Sequence, residues 1–308
     1  MRQPCGQTNP RSGVLSDPTV IASFDYHAPT SLYETLELMA TYGDDAHLMA
    51  GGTALVLLMQ QGLLQPGHVV GLRDVAELDG IRRLDDGGLE IRALTTHRQA
   101  ERSPEVQTYC PALAETFARV ATVRIRNQAT VGGNLAHADP AQDPPPMLIA
   151  LGGQAVVMSR QGQRRVPLDE FFVDYFETAL QRDEVLVAAE LPPLAAGTRV
   201  TYKKFLPRTQ DDYATVSVAA RVRLTEDHRC AEIRVALGAA ATVPVRARQV
   251  EDALRGQILD PATVRDAAAL VRDEVDPLQD LRGSASYKRE MARVWTERAI
   301  LELLSGPR

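Results

Sequence analysis

The sequence predicts an α+β protein built from two or three packed units. Three observations carry this. Helix-like and strand-like patterns alternate through the first half, a block of β-branched alternation follows, and helical patterns close the chain. At 308 residues the chain is longer than one ordinary core fills. The stretch Pro192-Pro193-Leu194-Ala195-Ala196-Gly197 punctuates the change of pattern as a linker does. The expected division is an arm over 1–18, two units over 19–80 and 81–196, and a sheet-plus-helices unit over 197–308.

Residues 1–18 are rich in Pro, Ser and Gly and lack an apolar signal-peptide core, hence the expectation of an arm. Ser31 and Glu34 form a capping-box pattern ahead of Leu32, Leu36 and Met39, which share one helical face. His47–Ala50 reads as a strand, Gly51-Gly52 as a tight turn, and Ala54–Gln61 as a helix stopped by Gly62. His68–Leu72 reads as a buried strand, and Ile81–Leu84 with Leu89–Ala93 as a hairpin around Asp85-Asp86-Gly87-Gly88. Leu113, Phe117 and Val120 space a helix over Pro111–Ala121. Pro144-Pro145-Pro146 is expected to break the chain, with a helix restarting over Met147–Leu151.

Strands are expected at Ala155–Met158, Arg165–Leu168 and Val185–Leu191. A three-stranded meander follows over Arg199–Phe205, Thr215–Leu224 and Cys230–Leu237. The closing helices are Val245–Leu254, one capped by Asp260 with Pro261 at its first position, and Ser286–Leu304.

A net charge of −6 argues against a broad polyanion-binding face, so nucleic acid is not an expected partner. Cys5, Cys110 and Cys230 stand singly, without the paired spacings of a zinc site, an iron–sulfur cluster or a disulfide framework. No apolar run reaches the ~18 residues of a membrane span, and the cytoplasm is the expected compartment.

The chemistry concentrates at two double glycines, Ala50-Gly51-Gly52-Thr53-Ala54 and Thr130-Val131-Gly132-Gly133-Asn134, each ahead of a helix-like stretch. Consecutive glycines before a helix let backbone N–H groups approach a diphosphate unobstructed, and Thr53, Thr130 and Asn134 add polar groups nearby. Neither G-x-G-x-x-G after a strand nor a Walker motif is present, so the grip is not of the Rossmann or P-loop kind. His137, Asp139 and Asp143 have an i, i+2, i+6 spacing that in principle can hold a divalent metal, but Pro140 intervenes and no Glu-rich or His-rich partner accompanies them, so no metal is expected.

The ordered segments Phe24-Asp25-Tyr26-His27-Ala28-Pro29, Leu48–Leu55, Ile125–Asn134, Ala138–Asp143 and Pro277–Lys288 resemble the FAD-binding medium subunit of molybdenum hydroxylases. The likeness is to the aerobic carbon monoxide dehydrogenase type, related to the xanthine dehydrogenase flavin domain, and it runs from about Phe24 to about Leu304. It implies a two-subdomain FAD-binding domain of the PCMH (vanillyl-alcohol-oxidase-like) type, followed by a three-stranded sheet with helices.

By motif, the resemblance implies that Ala50, Gly51, Gly52, Thr53 and Ala54, with Thr130, Val131, Gly132, Gly133 and Asn134, line the FAD diphosphate. Asp143 would accept from ribityl hydroxyls, Leu186 would touch the ring through its backbone, Lys204 would lie near the ring's polar edge with Lys203 as competitor, and Tyr213 would pack on it. Thr96 and His97 lie in a segment that the family places near the cofactor. Ala129, Arg92 and Gln142 depart from the family pattern and bear on the loop geometry and its finer hydrogen bonds.

The implied function is that of an oxidoreductase subunit, electrons passing from iron–sulfur clusters on a partner through FAD to a quinone, oxygen or a nicotinamide. The implied partners are a small subunit with two-iron two-sulfur clusters and a large molybdopterin subunit, assembled as a dimer of heterotrimers. The alternatives are a stand-alone FAD oxidoreductase of the same fold and a flavin-free scaffold.

Overall fold

The computed structural model describes residues 21–206, 209 and 211–305; the expected arm over 1–18 lies outside them. The first sheet is parallel, with Asp25–His27 and Ala46–Met49 flanking His68–Gly71. Helix Leu32–Tyr42 crosses between its first two strands and buries Leu36 and Met39. Ser31 caps that helix by accepting from the Glu34 N–H, while the Glu34 carboxylate takes the Thr30 N–H instead of closing back on Ser31.

The second sheet is antiparallel, in the order Ile81–Arg83, Leu89–Arg92, Val185–Leu191, Gln154–Ser159, Gly162–Pro167. Its middle strand is therefore the last of the five to be reached along the chain. The third sheet orders Arg199–Phe205, Val216–Leu224, Cys230–Gly238 and Val245–Arg246, antiparallel throughout. The expected meander thus gains a fourth, two-residue strand, because Val245 and Arg246 pair with Leu237 and Ala236. The helix expected from Val245 starts at Arg248.

Both faces of the third sheet are covered, as the period of two requires. Val216, Val218, Ala220 and Val222 join the core under the C-terminal helices, which include Ala285–Ser305. The alternate positions Tyr202, Ala219 and Ala236 join the core packed on the second sheet. Helix Pro144–Leu151 packs on this inner face and is buried along its whole length. The three prolines do not break the chain before it. They occupy its first turn, where N–H groups have no intrahelical partner to lose.

Candidate cofactor site

At the end of strand Ala46–Met49 the chain turns through Ala50–Ala54 into helix Leu55–Gln60. Gly52 lies in the left-handed region at φ 70°, where an L side chain costs about 1–2 kcal/mol. The Val56 N–H donates to the Gly52 carbonyl at 3.0 Å, whereas the N–H groups of residues 50–55 donate to no described residue. Here backbone donors stand open just ahead of a helix, as an anion requires.

The second glycine turn lies directly against the first. A Cβ on Gly51 would stand 1.9 Å from the Gln128 carbonyl oxygen, and one on Gly133 would be 3.6 Å from the Ala50 Cβ. Gly51 is therefore small for the sake of the neighbouring loop.

The second turn is not a matching set of open amides. Val131 N–H donates to the Thr95 carbonyl at 2.9 Å, Gly132 to the Ala93 carbonyl at 2.8 Å, and Asn134 to the Thr130 carbonyl at 2.9 Å. Gly133 N–H goes to Thr130 Oγ1 at 3.0 Å, so Thr130 caps helix Val131–His137. Gly132 is a packing glycine: its Cβ would meet that of Ala93 at 2.5 Å. What this wall offers instead is side-chain chemistry, since Asn134 Oδ1 is buried without a partner.

Thr96 pairs with Thr130, and the His97 N–H donates to the Ala129 carbonyl at 3.0 Å, so the Thr95–His97 segment supports the second turn from behind. The His97 ring stacks on Phe117 at 5.7 Å, fully buried, and neither of its nitrogens has a partner. Burial, then the Arg126 charge, pushes its pKa down to about 4. Ala129 has no positive φ, so its methyl group costs no backbone strain.

Asp143 starts helix Pro144–Leu151 but makes no side-chain cap bond. It is buried and accepts from Tyr202 Oη at 2.5 Å and from Lys204 Nζ at 2.9 Å. Burial raises its pKa, while Lys204, Tyr202 and Arg119 pull the other way. A carboxylate has about four lone-pair sites, so two acceptors remain. Beside it, Gln142 Oε1 is buried without a partner.

Strand alternation decides between the two lysines. Tyr202 and Lys204 share the inner face of Arg199–Phe205, whereas Thr201 and Lys203 point outward to Glu302 of the terminal helix. Lys204 Nζ also donates to the Arg119 carbonyl at 2.9 Å. A cavity of about 420 Å3 opens beside it, lined by Ala118, Arg119, Ala121, Arg126, Leu206 and Asp211. Arg126 braces this wall by donating to Glu101 and to the Val120 and Ala121 carbonyls.

Leu186 is buried in the middle strand of the second sheet, at a register shift next to Val187, whose carbonyl accepts the Ala93 N–H at 2.9 Å. Tyr213 is half-exposed, with the Arg282 guanidinium 5.6 Å from its ring centre. Burial, then Asp139, pushes its hydroxyl pKa up to about 12. The His137, Asp139 and Asp143 trio does not form a metal set: Asp143 is committed to Lys204 and Tyr202, and the His137 ring packs on Phe176 at 5.0 Å. Among the described residues, no group of three or more His, Cys, Asp and Glu could hold a metal ion.

Tyr202 and Arg119 were not anticipated; the available signal for Tyr202 was its i, i+2 relation to Lys204 on a strand. The groups present suit a dinucleotide: open amides at one glycine turn, Asn134 and Gln142 oxygens without partners, and a carboxylate with spare acceptors paired with a lysine; of these only Lys204 lines the cavity.

Residues 22–194 match the family described as the FAD binding domain in molybdopterin dehydrogenase, and residues 201–303 the CO dehydrogenase flavoprotein C-terminal domain. The carbon monoxide dehydrogenase medium chain of Hydrogenophaga pseudoflava is 35% identical over 277 residues, covering 90% of this chain and 96% of that one. The 6-hydroxypseudooxynicotine dehydrogenase complex subunit alpha of Paenarthrobacter nicotinovorans is 33% identical over 93% of this chain and 96% of its own. A solved carbon monoxide dehydrogenase from Hydrogenophaga pseudoflava, lacking the Mo-pyranopterin moiety of its cofactor, superposes with a TM-score of 0.90 at 36% identity. It covers 93% of this chain and 99% of its own.

Proposed function

This chain belongs to the FAD-binding medium subunits of the molybdenum hydroxylases, and from that premise we propose how its residues hold and serve the flavin. It is an oxidoreductase subunit whose cofactor is FAD and whose work is electron transfer within such a complex. The open N–H groups of residues 50–55, seated against the second glycine turn, carry the site assignment.

In our reading Ala50, Gly51, Gly52, Thr53 and Ala54 donate backbone hydrogen bonds to the diphosphate. The second turn contributes differently: Thr130, Val131, Gly132 and Gly133 shape the wall, and Asn134 supplies a polar side chain. Asp143 accepts from ribityl hydroxyls through its two unused lone-pair sites. The ring lies toward Lys204, with Leu186 touching it through its backbone and Tyr213 packing on it, as the family likeness implies. FAD, when bound, supplies the capacity to exchange electrons. Lys204, buried and paired with Asp143, offers an ammonium near the ring's polar edge, where it stabilises negative charge on the reduced flavin.

The relatives are medium chains or subunits of complexes, and we propose that the partners here are a small iron–sulfur subunit and a large molybdopterin subunit, as a dimer of heterotrimers. Cys110 and Cys230 are buried, unpaired thiols, which supports clusters borne on another chain and a reducing cytoplasm. No helix among the described residues is long and apolar enough to cross a membrane.

The test is the visible spectrum and flavin content of the purified protein, followed by co-purification of its untagged genomic neighbours. One FAD per chain and capture of two further subunits is the expected result. A flavin-free chain refutes the reading, and a stable monomer that turns over a small molecule on its own favours a stand-alone oxidoreductase.

A further inference from the structure

Tyr202 fills a place that a phenylalanine would fill equally well as far as packing goes. Its ring lies in the core shared by the second and third sheets, with Ala219 opposite it in register. What distinguishes it is the hydroxyl, 2.5 Å from Asp143 Oδ1, with both residues buried. Lys204, two residues on and on the same strand face, takes the other oxygen at 2.9 Å. One strand thus grips both oxygens of a carboxylate carried on a different element, at the start of helix Pro144–Leu151. Gly238 permits this approach, since a Cβ there would stand 3.2 Å from Pro146 and 2.6 Å from Ser217 Oγ.

We propose that Tyr202 is a positioning residue of the flavin site, which together with Lys204 fixes Asp143 in one orientation as a carboxylate and leaves two lone-pair sites for cofactor hydroxyls. This rests on the site reading given above. Without the phenol, Asp143 is tethered on one side only and keeps a single charged donor. The groups that act electrostatically on Asp143 are Lys204 and Tyr202 from the strand, Arg119 from the end of helix Pro111–Ala118, and Tyr213 from the segment beyond the strand. Lys204, Tyr202 and Arg119 all favour the ionised carboxylate, so removing the Tyr202 donor shifts Asp143 toward the protonated form, which has fewer acceptor sites to offer.

The experiment measures FAD binding by flavin fluorescence against pH for the wild-type chain, Tyr202→Phe, Asp143→Asn and the double variant. Tyr202→Phe is expected to weaken binding by up to about tenfold, less than the full strength of a hydrogen bond to a charged group, because that bond is also present without FAD. Its acid limb is expected to move to higher pH, and the double variant to bind no more weakly than Asp143→Asn alone. A purely packing role shifts neither the limb nor the coupling. Replacing Tyr202 by 3,5-difluorotyrosine keeps the shape and strengthens the donor, and is expected to move the limb to lower pH, so the inference is tested even if the phenylalanine variant fails to fold. Normal flavin content with an unmoved acid limb in both variants, or full additivity with Asp143→Asn, overturns the role of Tyr202 alone. A wild-type chain that takes up no FAD overturns the site reading beneath it.

Discussion

Replacing Gly51 with alanine isolates the contact on which the cofactor cradle is built. Gly51 has no positive φ, so alanine meets no backbone penalty, and the whole effect comes from one methyl group. That methyl would sit 1.9 Å from the Gln128 carbonyl oxygen and 2.7 Å from its carbon, where real contacts do not fall below 3.0 Å. The obstacle is backbone, which cannot rotate away as a side chain does, so the two turns must part by about 1 Å. All the open amides belong to the first turn, so a cofactor seated against the second turn's wall is left about an ångström too far from them; charge-assisted N–H to phosphate bonds are about 2.7–2.9 Å long, and an added ångström abolishes them. Each is worth about 1.5–3 kcal/mol, so losing even two weakens FAD binding by at least about a hundredfold. Titrating apoprotein with FAD, with thermal unfolding alongside, measures this.

Gly52→Ala is the internal comparison. Its new methyl approaches nothing closer than 3.4 Å, so the loops stay together and the cost is the φ of 70°, about 1–2 kcal/mol of stability. Wild-type FAD affinity in Gly51→Ala, or a larger loss in Gly52→Ala, would refute the argument that loop-to-loop contact sets the grip.

Other outcomes follow from the same geometry. Asp143→Ala leaves the buried Lys204 ammonium without its counter-charge, and denaturant unfolding should show a loss of about 3–5 kcal/mol; a loss below about 1 kcal/mol would mean that the pair is not structural. Lys204→Met should lower the two-electron flavin potential by about 30–60 mV, equivalent to about 1.4–2.8 kcal/mol, while Lys203→Ala, which removes one of the two partners of Glu302 on the opposite strand face, leaves it unchanged. His97 has a folded-state pKa of about 4 against 6.5 when unfolded, so its contribution is complete above about pH 6.5 and lost as pH falls toward 4. That amounts to about 2 kcal/mol by pH 5 and about 3 kcal/mol below pH 4, and His97→Phe should flatten the acid side of the stability curve by this amount.

Local patterns were the legible part of the sequence. The Ser31 and Asp260 caps, the Gly62 stop, the strands of the second sheet and the first three strands of the third follow from side-chain chemistry within a few residues, whereas Val245–Arg246, read as helix, is a strand by its pairing with Cys230–Gly238. The first glycine turn was legible for the same reason, because its amides stay open in the fold. The second was not, since the carbonyls that take its Val131 and Gly132 amides, Thr95 and Ala93, lie 36 and 39 residues earlier and are joined to it only by tertiary pairing. Lys204 is distinguished from Lys203 by strand register, which sequence spacing leaves open until one face is known to be inner. Tyr202 went unnoticed because a tyrosine among strand residues looks like packing until its hydroxyl partner is located.

Val185–Leu191 occupies the centre of the five-stranded sheet, and this bears on how the protein is made. During synthesis Leu89–Arg92 and Gln154–Ser159 emerge well before the strand that unites them, so each meanwhile presents an unsatisfied edge. Nascent or truncated chains ending short of residue 185 are therefore the species prone to aggregate. Chaperone dependence should track the time the ribosome takes to reach this strand, before any flavin or partner subunit can contribute.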